Sequence, residues 1–215
     1  MTNEWAAPSF LPLLQSGVEF LAVLAFAISG VASALRVGMD IVGVCLVAGV
    51  TAFGGGTIRD LLLDRRPFFW IEQEHLVWIV VGLCVLAAFV LRRSHAEVTE
   101  RTIQIPDAVG LGLFAALGTQ IALAEGASPV IAILMGVFSS TFGGVLRDIL
   151  CNVVPKALSD HQPYILLAVL GGLIVVGLDL FGWPAWMVLL VSLTVTTVAR
   201  VTAIYRRWSI PQWRP

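Results

Sequence analysis

The sequence predicts an all-α membrane protein with seven transmembrane helices, arranged as an inverted repeat of three plus three helices followed by a seventh helix. Two observations lead to this fold class. Hydrophobic residues make up 58% of the 215-residue chain, charged residues only 13%, and the mean hydropathy is +0.92. These values lie outside the usual range of water-soluble domains. In addition, the second half of the chain resembles the first half at a fixed spacing.

Seven charge-poor stretches follow one another along the chain, separated by short polar segments. Each stretch can cross a bilayer as a helix once a flanking turn is added. No soluble domain remains between them, so residues 1–215 are predicted to form a single membrane domain. The predicted spans are 20–35, 41–58, 76–91, 108–124, 126–146, 162–178 and 180–199.

The repeat becomes visible when the chain is aligned with itself. Residues 19–67 align without a gap with residues 107–155, a spacing of 88, and 14 of the 49 aligned positions are identical. Both copies contain Gly-Gly-x-x-Arg-Asp. Each copy holds three spans, so the second copy must enter the membrane from the opposite side, which gives an inverted repeat. We place repeat one at about 17–93, repeat two at about 105–181 and the extra helix at about 184–204.

The basic residues predict the orientation in the membrane. One side of the seven-span arrangement carries most of them, whereas the other side carries mainly Arg65 and Arg66. Cytoplasmic segments are enriched in Lys and Arg, so we expect a multi-pass protein of the plasma membrane with its N-terminus outside and its C-terminus cytoplasmic. The N-terminal segment has no basic n-region, and no cleaved signal peptide is expected.

Each copy of the repeat has a glycine-rich motif within its second span. Consecutive glycines weaken a helix by about 1 kcal/mol each relative to alanine, and a break in the membrane leaves backbone groups that need water or protein partners. We therefore predict interrupted, kinked helices whose exposed carbonyl groups attract cations along a hydrophilic path. Close helix packing through small residues is the simpler alternative. The predicted kink residues are Gly54, Gly55, Gly56, Gly143 and Gly144.

An Arg–Asp pair follows each glycine motif, and we predict that all four residues line the path. A charge at membrane depth costs roughly 2.5–3.5 kcal/mol unless it faces water or an opposite charge. Neighbouring helical residues point about 100° apart, so we predict pairing across the repeat, Arg59 with Asp148 and Arg147 with Asp60. The simpler alternative is an ion pair at a helix end near the interface.

Two further carboxylates, Glu19 and Asp107, lie at corresponding ends of the first and fourth spans. We predict that they concentrate cations at the mouths of the path, with helix-start residues as the alternative. Hydroxyl residues are frequent in spans one, two, four and five, which places the path among these four spans and the third and sixth spans outside them. Each hydroxyl could instead bond its own helix carbonyl. The predicted path residues are Thr51, Thr57, Ser139, Ser140 and Thr141.

Enzymatic function has little support in the sequence. The chain contains no P-loop, nucleophile elbow or HExxH motif. Cys45, Cys84 and Cys151 stand apart without metal-ligand spacing. We predict no enzymatic activity, no catalytic residue, no metal site and no cofactor, and the net charge of -1 does not favour a nucleic-acid partner.

The two GGxxRD copies in a seven-span arrangement resemble the prokaryotic trimeric intracellular cation (TRIC) channels over about 17–204. The resemblance implies a homotrimer in the lipid bilayer. It also implies one pore in each protomer, lined by the glycine-kinked second and fifth helices and permeable to monovalent cations such as potassium or sodium. Phe142 occupies the first glycine position of the second copy, so the two kinks need not be equivalent. The Lys-Glu-Val signature of the animal relatives is absent.

Two other functions stay open at this point. The same bacterial family resemblance includes members regarded as small amino-acid transporters, with glycine as the usual candidate, and an inverted repeat suits alternating access equally well. In a structural membrane protein, the third possibility, the doubled motif would serve only to pack helices.

Overall fold

The computed structural model describes residues 10–93, 99–159 and 162–211, and within these ranges the chain forms helices and connecting turns without a β-strand. In these described ranges, seven long helices follow in the order of the predicted spans, with a four-residue helix after the second and after the fifth. The helices are α1 (Phe10–Arg36), α2 (Ile41–Leu62), α3 (Phe69–Glu72), α4 (His75–Arg93), α5 (Glu100–Ala124), α6 (Pro129–Leu150), α7 (Lys156–Ser159), α8 (Tyr164–Leu180) and α9 (Ala185–Arg206).

Five of the long helices, α1, α2, α5, α6 and α9, have the length and apolar composition that a bilayer crossing requires. The other two, α4 and α8, contribute the shorter apolar stretches His75–Ala87 and Tyr164–Leu180. The predicted all-α class is therefore confirmed for the described residues. A crossing by all seven long helices stays a prediction.

The helix boundaries differ from the predicted spans mainly at two N-terminal ends. Helix α1 begins at Phe10 rather than at residue 20, and α5 begins at Glu100 rather than at residue 108. A stretch selected for its lack of charge omits the charged first turn of α5, although a helix continues readily beyond the apolar part of a bilayer.

The turns after equivalent helices have the same backbone conformation in the two halves. Gly38 follows α1 with φ 76° and Gly126 follows α5 with φ 80°, the left-handed conformation that glycine adopts without steric cost. Asp64 follows α2 and Asn152 follows α6, also with positive φ, at 52° and 56°. Both pairs are separated by the spacing that relates the two halves of the sequence.

The long helices end at two opposite faces of the bundle. At the first face, the turn after α2 is joined to the end of α5 by an ion pair between Arg65 Nε and Glu125 Oε1 at 3.1 Å. At the second face, Lys156 after α6 pairs with Glu100 at the start of α5, with 2.6 Å between Nζ and Oε1. The region between the two faces is the candidate path.

Helices α1, α2, α5 and α6 contact one another and form the core of the bundle. Phe26 of α1 and Phe114 of α5, which are equivalent in the two halves, pack against each other with their ring centroids 5.7 Å apart. Helix α4 packs on α1 and α2, and α8 packs on α5, α6 and α9. This arrangement agrees with the prediction that the third and sixth spans support the other four from outside.

Candidate functional site: two buried charge clusters

The first charge cluster lies near the end of α2, towards the first face. Arg59 Nε donates a hydrogen bond to Asp60 Oδ1 at 2.8 Å, and Arg59 Nη2 lies 3.3 Å from Glu19 Oε1. Gln73 Nε2 donates to Glu19 Oε2 at 2.8 Å, and the backbone N–H of Phe69 donates to Asp60 Oδ2 at 3.0 Å. This Arg59 cluster therefore joins α1, α2 and the segment around α3.

The second charge cluster repeats this arrangement near the end of α6, towards the second face. Arg147 Nε donates to Asp148 Oδ1 at 2.9 Å, and Arg147 Nη1 donates to Asp107 Oδ1 at 2.7 Å. The same Nη1 donates to Ser29 Oγ at 2.6 Å, and the backbone N–H of Lys156 donates to Asp148 Oδ2 at 2.8 Å. This Arg147 cluster joins α1, α5, α6 and the start of α7.

Both clusters are removed from solvent. The side chains of Arg59 and Arg147 are 0% and 3% exposed. A charge in such a place requires close partners of opposite sign, because desolvation otherwise disfavours the charged form strongly. Each arginine faces two carboxylates, so the buried groups of each cluster, when ionised, hold one excess negative charge. In the Arg59 cluster, the partly exposed Arg65 also contacts Asp60 and offsets this charge from the solvent side, with 3.5 Å between Nη1 and Oδ1.

The predicted pairing across the repeat is wrong. Arg59 pairs with its own neighbour Asp60 and with Glu19 rather than with Asp148. In the second half, Arg147 likewise pairs with its neighbour Asp148 and with Asp107. Although the Cα–Cβ bonds of adjacent helical residues diverge, the arginine side chain is long enough for its Nε and Nη2 groups to reach the neighbouring carboxylate. The pairing therefore stays within each repeat.

The two predicted mouth carboxylates belong to these clusters. Glu19 lies in the middle part of α1 and Asp107 lies in the second turn of α5, so neither is a helix-start residue. Their side chains are 9% and 5% exposed. Each is thus the partner from a neighbouring helix for one of the two arginines.

The glycine motifs bring α2 and α6 into direct contact. A Cβ atom on Gly55 would clash with the backbone carbonyl oxygen of Ser139, and a Cβ atom on Gly143 would clash with that of Thr51. These contacts are reciprocal, because Gly143 and Ser139 are the counterparts of Gly55 and Thr51. Reciprocal contacts of this kind are typical of a two-fold relation between the elements that form them.

Neither glycine motif interrupts its helix. Helix α2 is continuous from Ile41 to Leu62, and α6 from Pro129 to Leu150. The predicted half-helices with exposed carbonyl groups are therefore wrong, and close packing through small residues describes Gly55 and Gly143. A bend at these positions stays a prediction.

The remaining motif glycines pack against side chains. A Cβ atom on Gly56 would clash with the Phe69 ring, and one on Gly54 would lie 3.0 Å from Leu146 Cδ1. On Gly144 it would lie 3.3 Å from Asp107 Oδ1. Gly56 and Gly144 thus leave room for groups that belong to or border the charge clusters.

Most of the predicted path hydroxyls donate to carbonyl groups of their own helices, as the simpler alternative held. Ser139 differs, because its Oγ is buried and has no hydrogen-bond partner among the described residues. The intrahelical acceptors are Val47 O for Thr51, Phe53 O for Thr57, and Val137 O for both Ser140 and Thr141.

Cavities enter the core from both faces. A cavity of about 650 Å³ lies at the first face and is bordered by Glu19 and Gln73 of the Arg59 cluster. A second cavity of about 340 Å³ lies at the second face and is bordered by Ser33, Asp148 and Lys156. Each cavity therefore reaches one of the charge clusters.

A packed layer separates the two cavities. Along α1, Glu19 borders the first cavity and Ser33 borders the second, while Phe26 lies between them and packs against Phe114. The path is closed at this level. We define the central layer as Phe26, Phe114, Thr51 and Ser139, all of which are at most 1% exposed.

The sequence did not identify every member of the site. Gln73 and the backbone donors of Phe69 and Lys156 lie in connecting segments without a recognisable motif. The only available signal was the proline shared by the two copies, Pro67 and Pro155, which marks these segments as related. Within the described ranges, the structure has no group of three or more His, Cys, Asp or Glu residues that could hold a metal ion.

The chain matches a family model described as "Glycine transporter" twice, over residues 17–93 and 104–179. Among similar proteins, the UPF0126 membrane protein of Vibrio cholerae is 34% identical over 90% of this chain and 80% of its own length. The UPF0126 inner membrane protein YadS of Escherichia coli K12 is 33% identical over 90% of this chain and 92% of its own. Both relatives are named as membrane proteins, which agrees with the helices of this chain that are long and apolar enough to cross a bilayer.

A solved structure is also similar to this chain. It is the TRIC trimeric intracellular cation channel orthologue from Rhodobacter sphaeroides, with a TM-score of 0.83 and 38% identity over 91% of this chain and 99% of that chain. The fold, the doubled GGxxRD motif and the sequence identity thus indicate the same family. The chain belongs to the prokaryotic TRIC channel family, which includes the UPF0126 membrane proteins.

Proposed function

We propose that this protein is a channel for monovalent cations, permeable to potassium, with one pore in each protomer through the core of α1, α2, α5 and α6. The observation that carries this proposal is the pair of cavities that enter from opposite faces and reach the two charge clusters, with the central layer lying between these clusters. The description of the Rhodobacter sphaeroides relative as a cation channel supports the same activity for this chain.

The charge clusters favour cations over anions in such a pore. The buried part of each cluster holds two carboxylates and one guanidinium, so cations are attracted to the inner end of each cavity. Arg65, which contacts Asp60 from the first face, is 35% exposed and its charge is screened by solvent. Glu19 borders the first cavity and Asp148 the second, which places a carboxylate at each inner end. No cofactor takes part, and the permeant ion is potassium or sodium.

Opening requires the central layer to separate. We place the bend at Gly54, Gly55 and Gly56 of α2 and at Gly143 and Gly144 of α6, because glycine resists helix bending least. A bend would turn the hydroxyl groups around the glycine motifs towards the pore, where their oxygen atoms can contact a partly dehydrated cation. These pore residues are Thr51, Thr57, Ser139, Ser140 and Thr141.

The architecture proposed here has all seven long helices crossing the membrane in a single domain, 1–215. Repeats at about 17–93 and 105–181 have opposite orientations, and the helix at about 184–204 follows them. The reciprocal contacts of α2 and α6 and the double match of one family model support this repeat. The excess of basic residues at the second face supports a cytoplasmic C-terminus in the plasma membrane, and the description of the solved relative as trimeric supports a homotrimer.

A transporter of a small amino acid such as glycine is the second candidate. The description of the family model supports it, and two cavities on either side of a closed layer are also the geometry that alternating access requires. We propose no enzymatic activity, since the solved relative is described as a channel.

Flux measurements on one preparation in liposomes separate the two candidates. A channel predicts potassium efflux that increases with the gradient without saturating, and no uptake of labelled glycine. Phe26→Ala, which shortens a residue of the central layer, should raise the efflux, whereas Phe89→Ala should leave it unchanged because Phe89 is 71% exposed. Saturable glycine uptake without potassium efflux would contradict the channel and support the transporter.

A further inference from the structure

We propose that the two charge clusters differ in strength, and that the Arg59 cluster releases first on opening because Ser29 positions Arg147 whereas no equivalent residue positions Arg59. This inference rests on the proposed channel function. It concerns which end of the core moves, a question that the near-symmetry of the two halves leaves open.

Ser29 is a bridge between three helices. Its Oγ accepts a hydrogen bond from Arg147 Nη1 at 2.6 Å and donates one to the backbone carbonyl oxygen of Ile103 at 3.0 Å. The residue is 0% exposed. Ser29 of α1 is therefore tied to α5 and α6 at once, and Arg147 Nη1 binds two acceptors, Ser29 and Asp107.

The equivalent position in the second half is Leu117, which offers no acceptor. Arg59 Nη1, the counterpart of the nitrogen that Ser29 binds, is buried and has no hydrogen-bond partner among the described residues. The Arg59 guanidinium lies over the Phe69 ring at 5.5 Å, a contact weaker than a hydrogen bond to a charged group. The change from serine to leucine thus removes one buried hydrogen bond from the first cluster. The first cluster has one additional contact, since Arg65 Nη1 lies 3.5 Å from Asp60 Oδ1, whereas the equivalent Val153 offers none. Arg65 is 35% exposed, and a long ion pair screened by solvent contributes less than a buried hydrogen bond to a charged group.

The surroundings of Glu19 and Asp107, the carboxylates that the two arginines bind on a neighbouring helix, also make the Arg59 cluster the weaker one. Arg59 and Glu19 are 3.3 Å apart, whereas Arg147 and Asp107 are 2.7 Å apart. Glu19 borders a cavity of about 650 Å³, while the cavity that Asp107 and Arg147 border measures about 10 Å³. Water and cations can therefore reach Glu19 and compete for its carboxylate, whereas Asp107 has little room for them.

Both clusters hold α1, through Glu19 in the part nearer the first face and through Ser29 in the part nearer the second face. Release of the weaker contact would let the first-face part of α1 move away from α2, while Ser29 keeps the other part in place. The result is a pivot of α1 about Ser29 that widens the first cavity towards the central layer.

Hydrogen–deuterium exchange on the wild-type protein in lipid nanodiscs tests the difference directly. The amide of Phe69 donates to Asp60 and that of Lys156 donates to Asp148, and both lie in connecting segments at the two faces. We expect the segment around Phe69 to exchange about tenfold faster than the segment around Lys156, because local opening controls exchange. Equal rates, or faster exchange around Lys156, would overturn the inference.

Variants at the two equivalent positions provide the second test. Leu117→Ser places a hydroxyl at the position equivalent to Ser29, on the border of the first cavity, and Leu117→Ala removes the same bulk without adding a hydroxyl. We expect a channel open probability about tenfold lower in Leu117→Ser than in Leu117→Ala, the effect of one hydrogen bond to a charged group. Equal open probabilities in the two variants would count against the inference.

The reverse change weakens the second cluster. Ser29→Ala should speed exchange around Lys156 by about tenfold, and Ser29→Thr, which keeps the hydroxyl, should restore the slow exchange. Equal exchange rates around Lys156 in the two variants would show that Ser29 does not position Arg147. If no variant conducts ions, the proposed channel function fails, while the exchange measurements still decide whether the clusters differ.

Discussion

At the residue scale, two arginines and their partner carboxylates account for most of the buried charge among the described residues. Each is enclosed by two carboxylates, one from its own helix and one from a neighbouring helix. Such a cluster contributes less to stability than its contacts suggest, because desolvation offsets much of the attraction. Its members nevertheless depend on one another, since removal of one leaves the others buried without compensation.

The first prediction concerns the loss of one arginine. Arg147→Gln leaves Asp107 and Asp148 buried without a counter-charge, and we expect it to destabilise the protein by about 3–5 kcal/mol. Thermal unfolding of the purified protein in detergent would record this as a clear fall in Tm. Arg66→Gln is the matched control, because Arg66 is exposed and should change Tm little. Equal Tm values in the two variants would contradict the claim that Arg147 neutralises Asp107 and Asp148.

The second prediction concerns the identity of the partners. In a double-mutant cycle, Arg59→Gln and Glu19→Gln should be coupled by about 0.5–3 kcal/mol because these side chains are in contact. Arg59→Gln and Asp148→Asn should have additive effects on stability, because the two residues belong to different clusters. Unfolding free energies of the single and double variants give both values. A coupling between Arg59 and Asp148 would restore the pairing across the repeat.

Sequence reasoning identified the charged residues of the site but not all of their connections. The repeated Arg–Asp pairs and the two carboxylates Glu19 and Asp107 were evident from their equivalent positions. Their pairing was not evident, because it depends on how far an arginine side chain can fold back beside its own helix. Gln73 could not be identified, since nothing in its connecting segment distinguishes it from an ordinary turn residue.

At the scale of the elements, the contact of α2 with α6 controls how closely the two halves approach. Glycine at the contact points permits backbone-to-backbone approach that no other residue allows. The glycine motifs were recognised in the sequence, but continuous helices and interrupted helices both accommodate them. Glycine content alone could therefore not predict whether the helices break.

The third prediction concerns this contact. A Cβ atom at Gly55 meets the backbone of α6, so Gly55→Ala should force the helices apart and destabilise the protein by about 1–3 kcal/mol or more. Gly49→Ala on the same helix is the control, because a Cβ atom there meets nothing within 4 Å. The control should be neutral or stabilising by up to about 1 kcal/mol through helix propensity. Equal effects on Tm would contradict close packing at Gly55.

Among the described residues, the long helices follow the order of the predicted spans, while the predicted ends were less accurate. Charge depletion locates the apolar part of a helix, but α1 and α5 both begin before that part. The four-residue helices α3 and α7 were missed, because segments so short carry no periodic hydrophobic signal.

At the scale of the whole molecule, the two halves are related by a common spacing in their helix ends, turns and clusters. Helices α2 and α6 begin and end at equivalent positions. The self-alignment predicted this because glycines, prolines and charges are constrained most strongly where turns and buried sites form. The effect of a difference between the halves, such as Ser29 against Leu117, can be inferred only from the residues that surround it in the structure.

The fourth prediction concerns orientation. With the native cysteines replaced, a cysteine introduced at Glu72, exposed at the first face, should react with a membrane-impermeant thiol reagent added to intact cells. A cysteine at Ser209, exposed beyond the end of α9, should react only after the membrane is permeabilised. The opposite pattern would place the N-terminus in the cytoplasm and contradict the orientation drawn from the basic residues.

The central claim is that cations pass through the core of each protomer. Single-channel recording of the purified protein in planar bilayers under a potassium chloride gradient tests it most directly. The account predicts discrete unitary currents whose reversal potential lies near the potassium equilibrium potential, as expected of a cation-selective pore. Absence of unitary currents from protein that takes up glycine in a saturable manner would contradict the account and identify a transporter.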